Sequence, residues 1–292
     1  MNKNEYSDYL DDLARQHRDR IVRALQRLED RVAALAISAP TRQGELFDLA
    51  WAIDARTQLR ADLDAEFLTE VQSIVEEYAQ VAEENRVMLS QYGNFARLQP
   101  QVISQLQTLT FYGFDDIATT FLNEMADGIY QNTLTGRSAA DLVKELRQKI
   151  NGVYIRSDEA EVQRLVEIAN FGTEEQQEEA VRLLHTVYAS DRVGRNMRRY
   201  ASQMVQDSLM QFDAAVSMKT AKESGADRFE YFGGLVDDSR DWCIRHVGKV
   251  YTQDEINELW AENAWQGKAD GDPMIVRGGY NCQHHWLPTF DD

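Results

Sequence analysis

Proline stands at only four of the 292 positions of this chain, and only Pro40 and Pro100 precede residue 273. Proline inside a helix removes a backbone donor and clashes with the preceding turn, so its scarcity leaves most of the chain free to form long helices. The apolar residues use that freedom. Between Tyr9 and Leu35 they recur at Leu10, Leu13, Ile21, Leu25, Leu28, Val32 and Leu35, a spacing of about 3.5 residues that predicts a long amphipathic helix. Pro40 and Gly44 interrupt it, and Leu59, Leu63, Phe67, Val71, Ile74, Tyr78 and Val81 then form a second stripe ending near Gly93 and Pro100. Together the stripes predict a helical hairpin of elongated shape, either packed as a plain bundle or offering a surface to a partner's helices.

Helical signals continue over about 101–222. Ser138-Ala-Ala-Asp141 and Thr173-Glu-Glu-Gln176 have capping-box form. Leu142, Val143, Leu146 and Ile150 make one apolar face, Val181, Leu184, Val187 and Tyr188 another, and Met197, Ala201, Val205, Leu209 and Phe212 a third. The punctuation then changes, with seven of the sixteen glycines after residue 232. Arg228-Phe-Glu-Tyr231 alternates like a short strand, Val250-Tyr251 suggests a second and Met274-Ile-Val276 a third, while Thr252-Gln-Asp-Glu255 caps a helix carrying Ile256, Leu259 and Trp260. The expected fold is mainly α. Residues 1–104 form long amphipathic helices suited to partner contact, 105–226 a helical body, and 227–292 a small α+β module.

A composition of 43% hydrophobic and 27% charged residues is that of a folded chain, not of a disordered one. No apolar run reaches the ~18 residues of a membrane span, and the first residues lack the pattern of a secretion signal, so no membrane segment is expected. The net charge of −18 is spread evenly, with 12 bases against 18 acids in 1–100, 14 against 20 in 101–232 and 5 against 11 in 233–292. With no basic tail, nonspecific coating of DNA by the isolated chain is not expected.

The two cysteines, Cys243 and Cys282, lie in the last fifty residues beside three of the five histidines, His246, His284 and His285. Thiolate and imidazole are favoured zinc donors, and two separated pairs are how small folds supply four of them. Cys243-x2-His246, followed by Gly248, suits a tight turn, and Cys282 adds a second pair. An extended segment puts Cys282 and His284 on one face, whereas a helical turn favours His285. The predicted ligands of a structural zinc are Cys243, His246, Cys282 and His284. The alternatives are a disulfide, or buried thiols and hydrogen-bonded histidines that pack without metal.

These motifs resemble those of the phage Mu F-like head morphogenesis proteins, the minor head proteins of tailed bacteriophages. The elements that carry the likeness are Tyr231-Phe-Gly-Gly, Asp238-Ser-Arg240, Cys243-x2-His246, Val247-Gly-Lys249 with Tyr251, and Asn281-Cys-Gln-His284. Gly136 to Leu146 and Ala221 to Gly225 look like the family's helical lead-in, so the resemblance covers about 105–288. Asp241 stands where a threonine is expected, and His284 where the family usually has its second cysteine, a replacement that zinc accepts. The resemblance implies a zinc-knuckle-like module in a virion protein. Such a protein would sit in several copies at the portal inside the capsid and act with portal and other head proteins in head morphogenesis and in DNA packaging or ejection. It would occupy the host cytoplasm during assembly, with packaged phage DNA a candidate partner.

The competing reading is a metal-dependent nuclease, in which His285 with Asp237 or Asp238 activates water. Four protein ligands close a zinc site to water, so a non-enzymatic role is expected. Arg192, Arg195 and Arg199 share a helical face, expected to be solvated and paired with acids, the alternative being contact with packaged DNA or an acidic portal surface. Trp260, Trp265 and Trp286 are expected in the core of the closing module. Asp238 and Arg240 are expected to bond within it.

Overall fold

The structure, a computed structural model, describes residues 1–95, 97–151, 176, 196–237 and 239–289. Where proline is absent and the stripes run, the chain is helical. Helix α1 covers Lys3–Ile37, and the interruption at Pro40 and Gly44 is a hairpin of β1 (Thr41–Arg42) and β2 (Glu45–Leu46). Helix α2 (Leu49–Leu63), capped by Asp48, passes through a π-helical turn at Asp64–Leu68 into α3 (Thr69–Leu89). The turn has a cause in the stripe. Leu59, Leu63, Phe67 and Val71 are four apart, each step over-rotating a helix of 3.6 residues per turn, and one wider turn brings them back to the buried face. All four are buried.

Helix α4 covers Pro100–Leu134, α5 Ala139–Asn151 and α6 Met197–Ser224. The Ser138 hydroxyl accepts the Asp141 amide at 3.1 Å, as the capping motif predicts. Leu142, Leu146 and Ile150 are buried, as are Met197, Ala201, Val205, Leu209 and Phe212. The Thr173 capping motif, the face of Val181, Leu184, Val187 and Tyr188, and Arg192 and Arg195 lie outside the described residues. No helix among the described residues is long and apolar enough to cross a membrane.

The chain divides into two compact units, each assembled from separated segments. One contains 1–22, 68–116 and 202–292; the other contains 23–67 and 117–201. The boundaries read from composition, near 104 and 226, both fall inside the first. In that unit His17 and Arg20 of α1 reach Glu77 and Glu70 of α3, and the buried Leu10, Ile21, Ile74, Tyr78, Leu209 and Phe212 form the core. In the second unit Arg27 and Arg31 reach Glu66, and Arg31 also reaches Asp62. In both, partner numbers fall as the α1 number rises, so α1 runs antiparallel to α3 and to α2. These pairs lie at the rim of the core, each with at least one partner that touches solvent, and contribute about 0–1 kcal/mol each; their consequence is register more than stability.

The first unit ends in the small α+β module. Strand β3 (Arg228–Phe232) is central, flanked antiparallel by β4 (Val250–Thr252) and β5 (His285–Thr289). Helix α7 covers Asp241–His246, and α8 (Gln253–Glu262) starts in a complete capping box of Thr252 and Glu255. The expected third strand at Met274–Val276 is instead one turn of helix, α9 (Pro273–Val276). Asp272 caps it and Pro273 occupies its first turn, both helix-start features that outweigh three apolar residues. The third strand is β5, whose inner Pro288 is tolerated because the strand lies at a sheet edge.

Candidate metal centre

Three segments bring sulfur, imidazole and phenol together. Strand β3 alternates, burying Phe229 and Tyr231. Helix α7 buries Cys243, and the chain before β5 runs extended, so that Cys282 and His284 are buried while Gln283 is exposed. The donor atoms of Cys243, Cys282 and His284 all lie within 4.8 Å of one another. Cys282 Sγ is 3.6 Å from His284 Nδ1. The hydroxyl of Tyr231 lies 3.5 Å from Cys243 Sγ and 3.4 Å from Cys282 Sγ.

The residues fit a metal ion. Both cysteines are free thiols, and two thiols with an imidazole are soft donors suited to zinc. A tetrahedral zinc with sulfur at about 2.3 Å and nitrogen at about 2.0 Å separates those donors by about 3.5 Å, close to the observed Cys282–His284 spacing. A Cβ on Gly278 would lie 2.8 Å from both sulfurs and from Tyr231 Oη; only glycine leaves the space among these three atoms clear. Gly233 is needed for a similar reason. With φ at +153° it lets the His284 ring lie where a Cβ would come within 2.7 Å of Cδ2.

His246, the expected partner of Cys243, is not drawn into this group. Its Nδ1 lies 2.8 Å from Tyr251 Oη, and its ring packs on Trp242 at 4.1 Å. In a regular helical turn, side chains three apart start with their Cβ atoms about 5–6 Å apart. Gly248 then reverses the chain with φ at +78°, and β4 brings Tyr251 back onto the imidazole. Of the two tandem histidines, His284 joins the sulfurs, as the extended alternative requires.

The electrostatics of the thiols are asymmetric. The hydrogen bond to Cys282, reinforced by burial, holds the Cys243 thiol far above its ordinary range. Cys282 is held well below its own range by the bond from Cys243 and, against the cost of burial, by His284 and Arg277. Burial and the two neighbouring sulfurs push the Tyr231 phenol well up. Burial, with Lys249 and Arg245 nearby, lowers His246.

The surroundings fix these groups. Arg277 is 1% exposed and donates to the Ile275 carbonyl at 2.8 Å and the Cys282 carbonyl at 3.0 Å. The backbone amide of Asn281 donates to Asp207 of α6 at 2.7 Å. Arg240 donates to the carbonyls of Tyr280 and Gln266, fastening within the module as expected; Asp238 lies outside the described residues. Trp242 stacks on Trp265 and meets Trp260 edge-on, with Lys268 over Trp260 and Trp265. Trp286 is buried against Tyr231 at 4.5 Å. These tryptophans pack on one another and on the centre.

His285 points elsewhere. Its Nδ1 lies 3.1 Å from Asp213 of α6, which also accepts from Tyr6 of α1 and from Asn85 of α3 at 2.7 Å. Asn85 further donates to Ser217 at 2.8 Å. All five side chains are buried. The acid facing His285 is thus Asp213, not the exposed Asp237. Sequence reasoning missed Tyr231, Arg277, Gly278 and Asp213. Tyr231 had one signal, its place at an inward position of a strand leading into the cysteine motif. The others had none.

Compared with known proteins, the chain matches no family model, no curated protein and no solved structure.

Proposed function

We propose that this chain is a minor head protein of a tailed bacteriophage, held at the portal inside the capsid in several copies and acting in head morphogenesis and in DNA packaging or ejection. The observation that carries the reading is the cluster of Cys243, Cys282 and His284. It is built from the same two motifs whose pattern resembles the Mu F-like family, on a small α+β module that closes a helical chain. In this reading the module is a zinc-knuckle-like clasp. Zinc supplies a rigid cross-link there, because ligation free energy is folding free energy for a small module. The antiparallel pairs along α1 support the N-terminal helical hairpin, whose role is contact with portal and other head proteins. The virion interior is the final location, reached from the host cytoplasm during assembly.

The test has two arms. Purified full-length protein should carry close to one zinc per chain and co-sediment with portal rings, and antibody against it should detect a few copies per finished head. Absence from finished heads, together with DNA cleavage on addition of divalent metal, would replace this reading with the nuclease one.

A further inference from the structure

Three protein donors leave a tetrahedral ion one short, and His246, the residue the sequence offered, is engaged with Tyr251. We infer that Tyr231 supplies the fourth donor, its phenolate oxygen closing a Cys243, Cys282, His284, Tyr231 site. This rests on the metal-holding reading of the same cluster. Tyr231 Oη stands 3.5 and 3.4 Å from the two sulfurs, and His284 Nδ1 stands 3.6 Å from one of them. Each distance is within about 0.1 Å of the edge that sulfur and a light donor span around tetrahedral zinc, about 3.5 Å.

Tyr231 has no freedom to be elsewhere. It is fully buried on the central strand, its ring lies parallel to His284 at 5.1 Å and against Trp286 at 4.5 Å, and among the described residues its hydroxyl bonds to the two sulfurs. Gly278 has no side chain to enter the space that these three atoms bound. On coordination the phenol and the two thiols each release a proton to the solvent buffer, and the three anions and the neutral imidazole bond the ion through their lone pairs, so the atoms balance without a further reactant and the filled site would carry one net negative charge. Two thiolates, a phenolate and a neutral imidazole leave the site closed to water, the character of a structural centre.

The test is zinc titration of the metal-free full-length protein, followed by near-ultraviolet difference absorption and by chelator competition. A phenolate band should grow to an end point at one equivalent. Tyr231→Phe keeps the ring and the packing; it should lose the band and bind zinc at least as weakly as the roughly 10–100-fold cost of losing an outer partner. A Tyr231→Phe protein that binds with parental affinity, or a parent that binds one zinc with no phenolate band, would overturn the assignment. The Cys243→Ser and Cys282→Ser proteins separate the two levels. If they fail to bind while parent and Tyr231→Phe bind alike, only the tyrosine falls; if the parent takes up no zinc, the metal reading falls and the tyrosine with it.

Discussion

The helical segments and the closing module cohere by different means. Along α1, α2 and α3 the buried face is mainly aliphatic, from Leu10 through Leu28 to Val81, with a few buried aromatic and polar residues such as Tyr78 and Asn85, and charged residues pair at its rim. In the module Ile256, Met274, Val276 and Leu287 are buried too, but they share the interior with Tyr231, Trp242, Cys243, His246, Arg277, Cys282, His284 and Trp286. Aliphatic burial is non-directional and tolerates exchange among residues of similar volume. A buried thiol, imidazole or guanidinium must instead meet a particular partner or carry a desolvation cost. The helices are therefore specified by a pattern and the module by individual residues.

The largest test of that contrast is at the seam between the two. Asp213 accepts from Tyr6 and Asn85 and pairs with His285, so it joins α1, α3 and α6 to strand β5. Asp213→Ala would strand three buried polar groups at once. The expected loss is about 3–5 kcal/mol, since each buried polar group left without its partner costs roughly 1–3 kcal/mol, measured by urea unfolding. Hydrogen exchange should show module and helices losing protection in the same step. A loss below about 1 kcal/mol would mean that aliphatic packing alone joins them.

The same contrast decides how much was legible beforehand. The stripes of α1 to α3 and of α6, the caps at Ser138 and Thr252, and strands β3 and β4 follow from periodicities and short-range hydrogen bonds that sequence displays directly. Strand β5 was hidden because every residue from His285 to Pro288 is buried, so it shows no alternation. Cys243, Cys282 and His284 were legible as residue types whose chemistry has few uses. Their companion was not: whether His246 turns to a sulfur or to Tyr251 depends on where β4 returns. The opposite fates of His284 and His285 follow from the extended chain there, in which neighbours face opposite sides.

A smaller effect is expected where the module alone is touched. Arg240 ties the carbonyl of Tyr280, in the loop that carries Gly278 and Cys282, to that of Gln266 in the preceding loop. Arg240→Ala removes charge-assisted bonds of roughly 1.5–3 kcal/mol, towards the lower end because the guanidinium is partly exposed. Thermal unfolding should shift down, exchange should quicken in the loops 263–272 and 277–284, and α1 and α3 should keep their protection. Faster exchange in those helices would blur the contrast, because a contact inside the module would then be governing the aliphatic core.

The smallest effect sharpens the contrast from within the module. Thr252 caps α8, accepting the Glu255 amide at 3.3 Å while Glu255 accepts the Thr252 amide at 2.7 Å. Both bonds are local and solvent-facing, and neither touches the sulfurs. Thr252→Ala should cost about 1 kcal/mol, as caps do, and fray the first turn of α8 alone. Zinc affinity should be unchanged, because the strand that carries Tyr231 is paired on its other side by β5 and does not depend on the cap. A drop in zinc affinity from so remote a change would mean that the whole module, and not the residues around Gly278, sets the geometry of the centre.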